Sequence, residues 1–249
     1  MNTSLLRLVA TLAFAGTLAM NALANILPIN GLNTGQVSDL YPSLFTPAGL
    51  TFFIWTVIYI LLTGFVVLSW RRPHDALTNR LLPWFIVSCV LNLSWIWVWH
   101  HLYTGLSVML MLALLVTLIA LFRIVHRAYI TLWTERLFVA LPFTIYLAWI
   151  CVATIANIAA WLVAQGWHGG ILSPEGWTVV MMTVAVLLAC KVTLDYRTPF
   201  FSVVVLWALL GIGIRWWGTE HTVIVTSAVV QIAALITVLF YVTRRSVRA

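Results

Sequence analysis

Tyr146-Leu147-Ala148-Trp149-Ile150-Cys151-Val152-Ala153-Thr154-Ile155-Ala156-Asn157-Ile158-Ala159-Ala160-Trp161 contains no charged residue and lies inside an apolar run over residues 136–165. About 20 such residues let a helix cross the hydrocarbon of a bilayer. Tyr146, Trp149, Ala153, Asn157 and Trp161 follow steps of three and four, so they share one helix face. An asparagine side chain in hydrocarbon needs a hydrogen-bond partner, so this face has to turn inward, toward other helices.

The rest of the chain supplies those helices. Of 249 residues, 63% are hydrophobic and 8% charged, whereas a soluble domain carries about a quarter charged. Apolar runs predict helices over 5–27, 47–70, 81–102, 106–126, 136–165, 177–193, 199–217 and 221–243. Thr46-Pro47 and Thr198-Pro199 each supply an N-cap followed by a first-turn proline. The predicted fold is an all-α membrane protein of about eight transmembrane helices, with no length left for a soluble domain.

The net charge of +7 could point to nucleic acid, but the cations sit in short loops. With eight spans, 12 of the 13 Lys and Arg fall on one side and Arg215 alone on the other. The positive-inside rule then places both termini in the cytoplasm of a bacterial inner membrane or an equivalent one. A competing reading takes Met1–Arg7 and Leu8–Met20 as the first parts of a signal peptide cleaved after Ala22-Leu23-Ala24, leaving seven helices. Asn21 and Asn25, one turn apart, read instead as a polar stripe on a retained helix.

No ionisable residue lies in the middle of a span, which argues against a pump or an ion-coupled transporter. Aromatic and amide stripes stand in their place. Ser88, Asn92, Trp95 and Trp99 share one face of the third span, and Thr51, Trp55 and Tyr59 share one face of the second. About half of the 14 tryptophans sit at span ends as interface anchors. Trp55, Trp95, Trp99, Trp149 and Trp161 lie on the stripes, where flat indoles suit a pocket for an apolar ligand. Any single asparagine reads better as a bond between packed helices, and it is the set of stripes that points to a pocket.

Cys89, Cys151 and Cys190 lie in apolar runs without metal spacing, so no metal site is expected. His100, His101, His168 and His221 fall on the non-cytoplasmic side, with His100 or His101 nearest a pocket mouth. No nucleophile–base pair stands out, so no catalytic residue is expected and the chain does not read as an enzyme. Asp39, Glu175 and Glu220 are outer loop acids, with Asp39 placed to guard a lid. Asp75, Glu135 and Asp195 lie among the arginines and are expected to pair weakly with them.

The stripes carry a family resemblance. Tyr41-Pro42-Ser43-Leu44-Phe45-Thr46-Pro47, followed by Trp55, Tyr59 and Gly64, resembles the proline-rich loop and second helix of the translocator protein / tryptophan-rich sensory protein (TspO) family. Leu91-Asn92-Leu93-Ser94-Trp95 resembles its third helix, and Tyr146-Leu147-Ala148-Trp149 with Ala153, Asn157 and Trp161 resembles its fifth. The resemblance covers roughly residues 5–165. It implies a five-helix bundle over 1–165 that binds porphyrins, haem-related compounds or sterols, dimerises, and is capped by a loop over 28–46. The sequence departs from the family pattern at Gly49, Thr51 and Phe53, and its proline lies at Pro142 rather than just before Tyr146. Residues 166–249 form three further helices without a counterpart in that five-helix pattern, and the sequence assigns them no role.

The expectation is a multi-pass receptor or sensor-like protein whose partners are membrane lipid and a small hydrophobic ligand, a porphyrin or haem held as ligand or a sterol-like molecule. The expected pocket comprises Trp55, Tyr59, Asn92, Trp95, Tyr146, Trp149, Ala153 and Asn157, and the lid comprises Tyr41, Pro42 and Pro47. The alternative is a transporter or permease for an apolar metabolite.

Overall fold

The computed structural model describes residues 3–27, 29–167 and 169–246, with Arg245 and Ser246 as backbone only. Pro28 at the start of the expected lid, His168 among the outer histidines and Arg248 in the charge census lie outside the described residues.

Nine helices are described. They are α1 (Thr3–Ile26), a short α2 (Thr34–Asp39), α3 (Gly49–Arg71), α4 (Ala76–His100), α5 (Thr104–His126), α6 (Trp133–Ala164), α7 (Pro174–Tyr196), α8 (Pro199–Trp216) and α9 (Thr222–Ser246). All but α2 are long and apolar enough to cross a bilayer, and the protein is an all-α, multi-pass membrane protein. The ends differ from the predicted spans where polar caps extend a helix past its apolar run. Asp75 accepts from the Thr78 amide at 2.6 Å and starts α4 before residue 81. Ser173 accepts from the Gly176 amide at 3.1 Å, with Pro174 in the first turn of α7.

Helices α3, α1, α4, α5 and α6 close into a ring, each packed on the next, and α6 returns to α3. Helix α8 packs against α6 and the first turn of α3, while α7 and α9 pack on α8 and on each other. The ring interior is filled at the end where the arginines collect. There Phe65, Phe85 and Phe143 meet edge to face at 5.0–6.3 Å, with Phe14 at 5.7 Å from Phe85. This plug confines any space inside the ring to the opposite end.

Several charged groups hold that arginine-rich end together. Arg7 belongs to the charge census, yet it is buried and does not reach solvent. It donates to the Pro73 carbonyl and to Asn79 Oδ1 (2.9 Å), tying α1 to the loop after α3 and to the first turn of α4. Arg72 pairs with Glu135 at 2.8 Å and Lys191 with Asp195 at 2.8 Å, whereas Asp75 serves as a helix cap. On the other face Glu175 pairs with His221 Nδ1 at 2.9 Å.

Helix α6 opens with a π-helical turn over Arg136–Ala140. Pro142 has no N–H to donate to the Phe138 carbonyl and crowds it, so the helix widens just before the proline. Phe138 lands against α3 at Gly64, where an added Cβ would stand 2.0 Å from its ring. Gly64→Ala is therefore expected to force the Phe138 ring out and to cost about 1–3 kcal/mol. Thermal unfolding of the detergent-solubilised protein checks this, because an unchanged midpoint would contradict the close α3–α6 approach.

Candidate functional site

Above the phenylalanine plug the asparagine stripes meet. Asn21 of α1 donates to Asn92 Oδ1 (3.1 Å), and Asn92 Nδ2 donates to the Tyr146 hydroxyl (3.0 Å). One turn further along, Trp95 Nε1 donates to Asn157 Oδ1 (2.8 Å), and Asn157 Nδ2 donates to Ser107 Oγ (2.8 Å). Hydrogen bonds between membrane helices average about 0.6 kcal/mol each, so the pair of short chains positions the ring more than it stabilises it.

Beside these bonds, below the short α2, lies a cavity of about 50 Å³. Helix α6 lines it with Trp149, Ala153 and Asn157, α4 with Trp95 and Trp99, and α3 with Phe52 and Trp55. The short α2 adds Thr34 and Ser38, and the following loop adds Thr46 and Pro47. The indoles are arranged at angles. Trp55 stacks on Tyr59 (5.5 Å) and meets Trp149 edge-on (6.3 Å), and Trp95 stacks on Trp99 (5.9 Å). Trp149 Nε1 is buried with no hydrogen-bond partner.

The expected pocket thus divides. Trp55, Trp95, Trp149, Ala153 and Asn157 line the cavity, while Tyr59, Asn92 and Tyr146 do not. Asn92 and Tyr146 lie deeper because an amide and a phenol in an apolar interior bond to each other when they can reach. Tyr59 packs behind Trp55, its hydroxyl buried without a partner. Trp99 and Phe52 were missed, although each continues a stripe already legible in the sequence, four residues after Trp95 and three before Trp55.

The lid is a folded element. Asn33, which reads as a turn residue, accepts from the Gln36 amide (2.9 Å), and the Gln36 side chain accepts from the Asn33 amide (2.9 Å). This capping box starts α2 and brings Thr34 and Ser38, one turn apart, over the cavity. Of the expected lid residues, Pro47 lines the cavity, Tyr41 packs on Trp99 at 6.1 Å, and Pro42 does not reach the lining. His100 is buried beneath the lid. Its Nδ1 donates to the Ile29 carbonyl (3.3 Å), which leaves Nε2 to accept from the Thr34 hydroxyl (3.1 Å). His101 lies on Trp97, away from the cavity.

Helix α8 holds the lid from the other side. Arg215 pairs with Asp39 (2.9 Å), Trp216 Nε1 donates to the Leu44 carbonyl (2.9 Å), and Trp207 Nε1 donates to the Thr51 carbonyl (2.9 Å). The Ala48 amide donates to the Gly211 carbonyl (3.0 Å). Glycine is required there, since an added Cβ would stand 2.0 Å from Thr51 Oγ1 and 3.0 Å from Pro47 Cβ. The contact also accounts for one departure from the family pattern: Thr51 is fully buried at this crossing, where a larger side chain has no room.

A family model described as TSPO-like protein matches residues 7–241, through the C-terminal helices as well as the ring. No curated protein matches the chain, and no solved structure does.

The half-exposed Arg215–Asp39 pair is expected to contribute under about 1 kcal/mol, whereas overpacking at Gly211 costs about 1–3 kcal/mol. Gly211→Ala should therefore raise the rate of proteolysis within residues 40–48 several-fold, and Asp39→Asn should change it little. Equal rates for Gly211→Ala and the parent protein would contradict the clamp.

Proposed function

Since the chain belongs to the TSPO-like family, which the match over residues 7–241 establishes, we propose that it is a receptor- or sensor-like membrane protein whose five-helix ring binds a flat, hydrophobic ligand of the porphyrin class. The observation that carries this reading is the Trp149 Nε1–H, buried without an acceptor in the wall of an indole-lined cavity. An unpaired donor in such a place costs about 1–3 kcal/mol, and a ligand carbonyl or carboxylate would recover it. Trp55, Trp95 and Trp99 supply the flat apolar surface, and Asn157 supplies an amide already fixed by Trp95 and Ser107.

Size decides what else has to happen. Ligand pockets measure about 300–1,000 Å³, against about 50 Å³ here. The described geometry is thus a closed form, and ligand binding requires α2 and the loop to Pro47 to move off the ring. No histidine or cysteine lines the cavity, so a haem would be held by stacking and by its propionates rather than by a ligand to its iron. The proposed orientation puts the arginine-rich end in the cytoplasm and the lid on the outer side of a bacterial inner membrane or its equivalent.

Titration of the purified protein with protoporphyrin IX, read by tryptophan quenching, is expected to give a micromolar Kd. Trp149→Phe keeps an aromatic ring but removes the donor, and should weaken binding about tenfold, equivalent to about 1.4 kcal/mol. Absence of quenching at micromolar porphyrin would remove the ligand class, and an unchanged Kd in both Trp149→Phe and Asn157→Ala would remove the site. Porphyrin accumulation in reconstituted vesicles would favour a permease over a receptor.

A further inference from the structure

A second cavity, of about 570 Å³, opens at the arginine-rich end, where α5 and α7 finish and α6 and α8 begin. It is more than ten times the volume of the cavity under the lid. Two arginines line it, Arg136 at the start of α6 and Arg197 in the turn between α7 and α8. Each has an acidic neighbour in sequence, and each neighbour is committed elsewhere. Glu135 pairs with Arg72 and Asp195 with Lys191, both at 2.8 Å. Among the described residues neither Arg136 nor Arg197 has an acidic partner. Two guanidinium groups thus border one cavity without a counter-charge.

The turn that carries Arg197 is braced. The Thr193 hydroxyl donates to the Thr198 carbonyl (3.2 Å) and bonds to Ser202 Oγ (2.7 Å). Below the arginines the wall is apolar, formed by Leu137, Leu141 and Phe200. Trp133 stands exposed at the rim, as aromatic residues do at headgroup depth. We propose that this cavity binds an anionic phospholipid, its phosphate between Arg136 and Arg197 and an acyl chain along Leu137, Leu141 and Phe200. A free phosphate would satisfy the arginines but leave that apolar wall uncovered, so the lipid is the occupant that matches both parts. The lipid bridges α6 of the ring to α7 and α8 outside it, joining two parts of the fold at the end opposite the lid.

The test uses the full-length protein in detergent and native mass spectrometry. Phosphatidylglycerol is expected to be retained at least about fivefold more than phosphatidylcholine, since one arginine near an anionic headgroup is worth about that factor. Arg136→Gln/Arg197→Gln should abolish the preference. Both side chains are exposed, so the substitutions leave the core intact. Arg71→Gln/Arg80→Gln removes the same charge at the same end, outside the cavity, and should leave the preference unchanged. Equal retention of the two lipids, or an equal loss in both double variants, would overturn the site. Displacement of phosphatidylglycerol by millimolar inorganic phosphate would overturn the lipid as its occupant.

Discussion

Asn92 and Asn157 each take partners on two other helices, and the ring depends on those bonds. Hydrocarbon offers an amide no water, so each asparagine has to find its donors and acceptors within the protein. Through Asn21, Asn92, Tyr146, Trp95, Asn157 and Ser107 the bonds join α1, α4, α5 and α6. Helix α3 enters the same arrangement by aromatic contact, with Trp55 edge-on to Tyr146 and Trp149. The Trp95–Asn157 bond is itself part of the cavity wall. In the turn of α6 before Asn157 the small side chains of Ala153 and Ala156 leave space that indoles border but do not fill.

The C-terminal helices act on that cavity without lining it. Helix α8 reaches the lid through Arg215 and Trp216 and the base of α3 through Gly211 and Trp207. The first turn of α3 answers to this neighbour. Thr51 is buried against Gly211, while Phe53 is 73% exposed, on the lipid side of the same turn. Gly49 faces open space, and nothing in the structure explains it.

The helical, membrane-spanning fold was legible because hydropathy alone sets it, and the stripes were legible because period 3.6 survives in any straight helix. The helix starts at Ala76 and Pro174 were less so, since capping by Asp75 and Ser173 extends a helix into polar sequence. The site was read in part. Trp149 and Asn157 share a face with Tyr146, and periodicity cannot say which of them stands at the cavity and which lies one layer deeper. The two cavity residues on α2 were invisible, because Asn33 reads as a turn until Gln36 closes the capping box. The clamp by α8 depends on contacts between residues more than 150 positions apart, which no local pattern carries.

That separation orders the events of synthesis. Asp39 and Arg215 lie 176 positions apart. A ribosome adding 5–20 residues per second needs roughly 9–35 s to cover that distance. For that interval the ring helices enter the membrane while the lid beside them has no fastening to α8. The fastening arrives only once α8 has been made, so the lid cannot close over the ring while the ring alone exists.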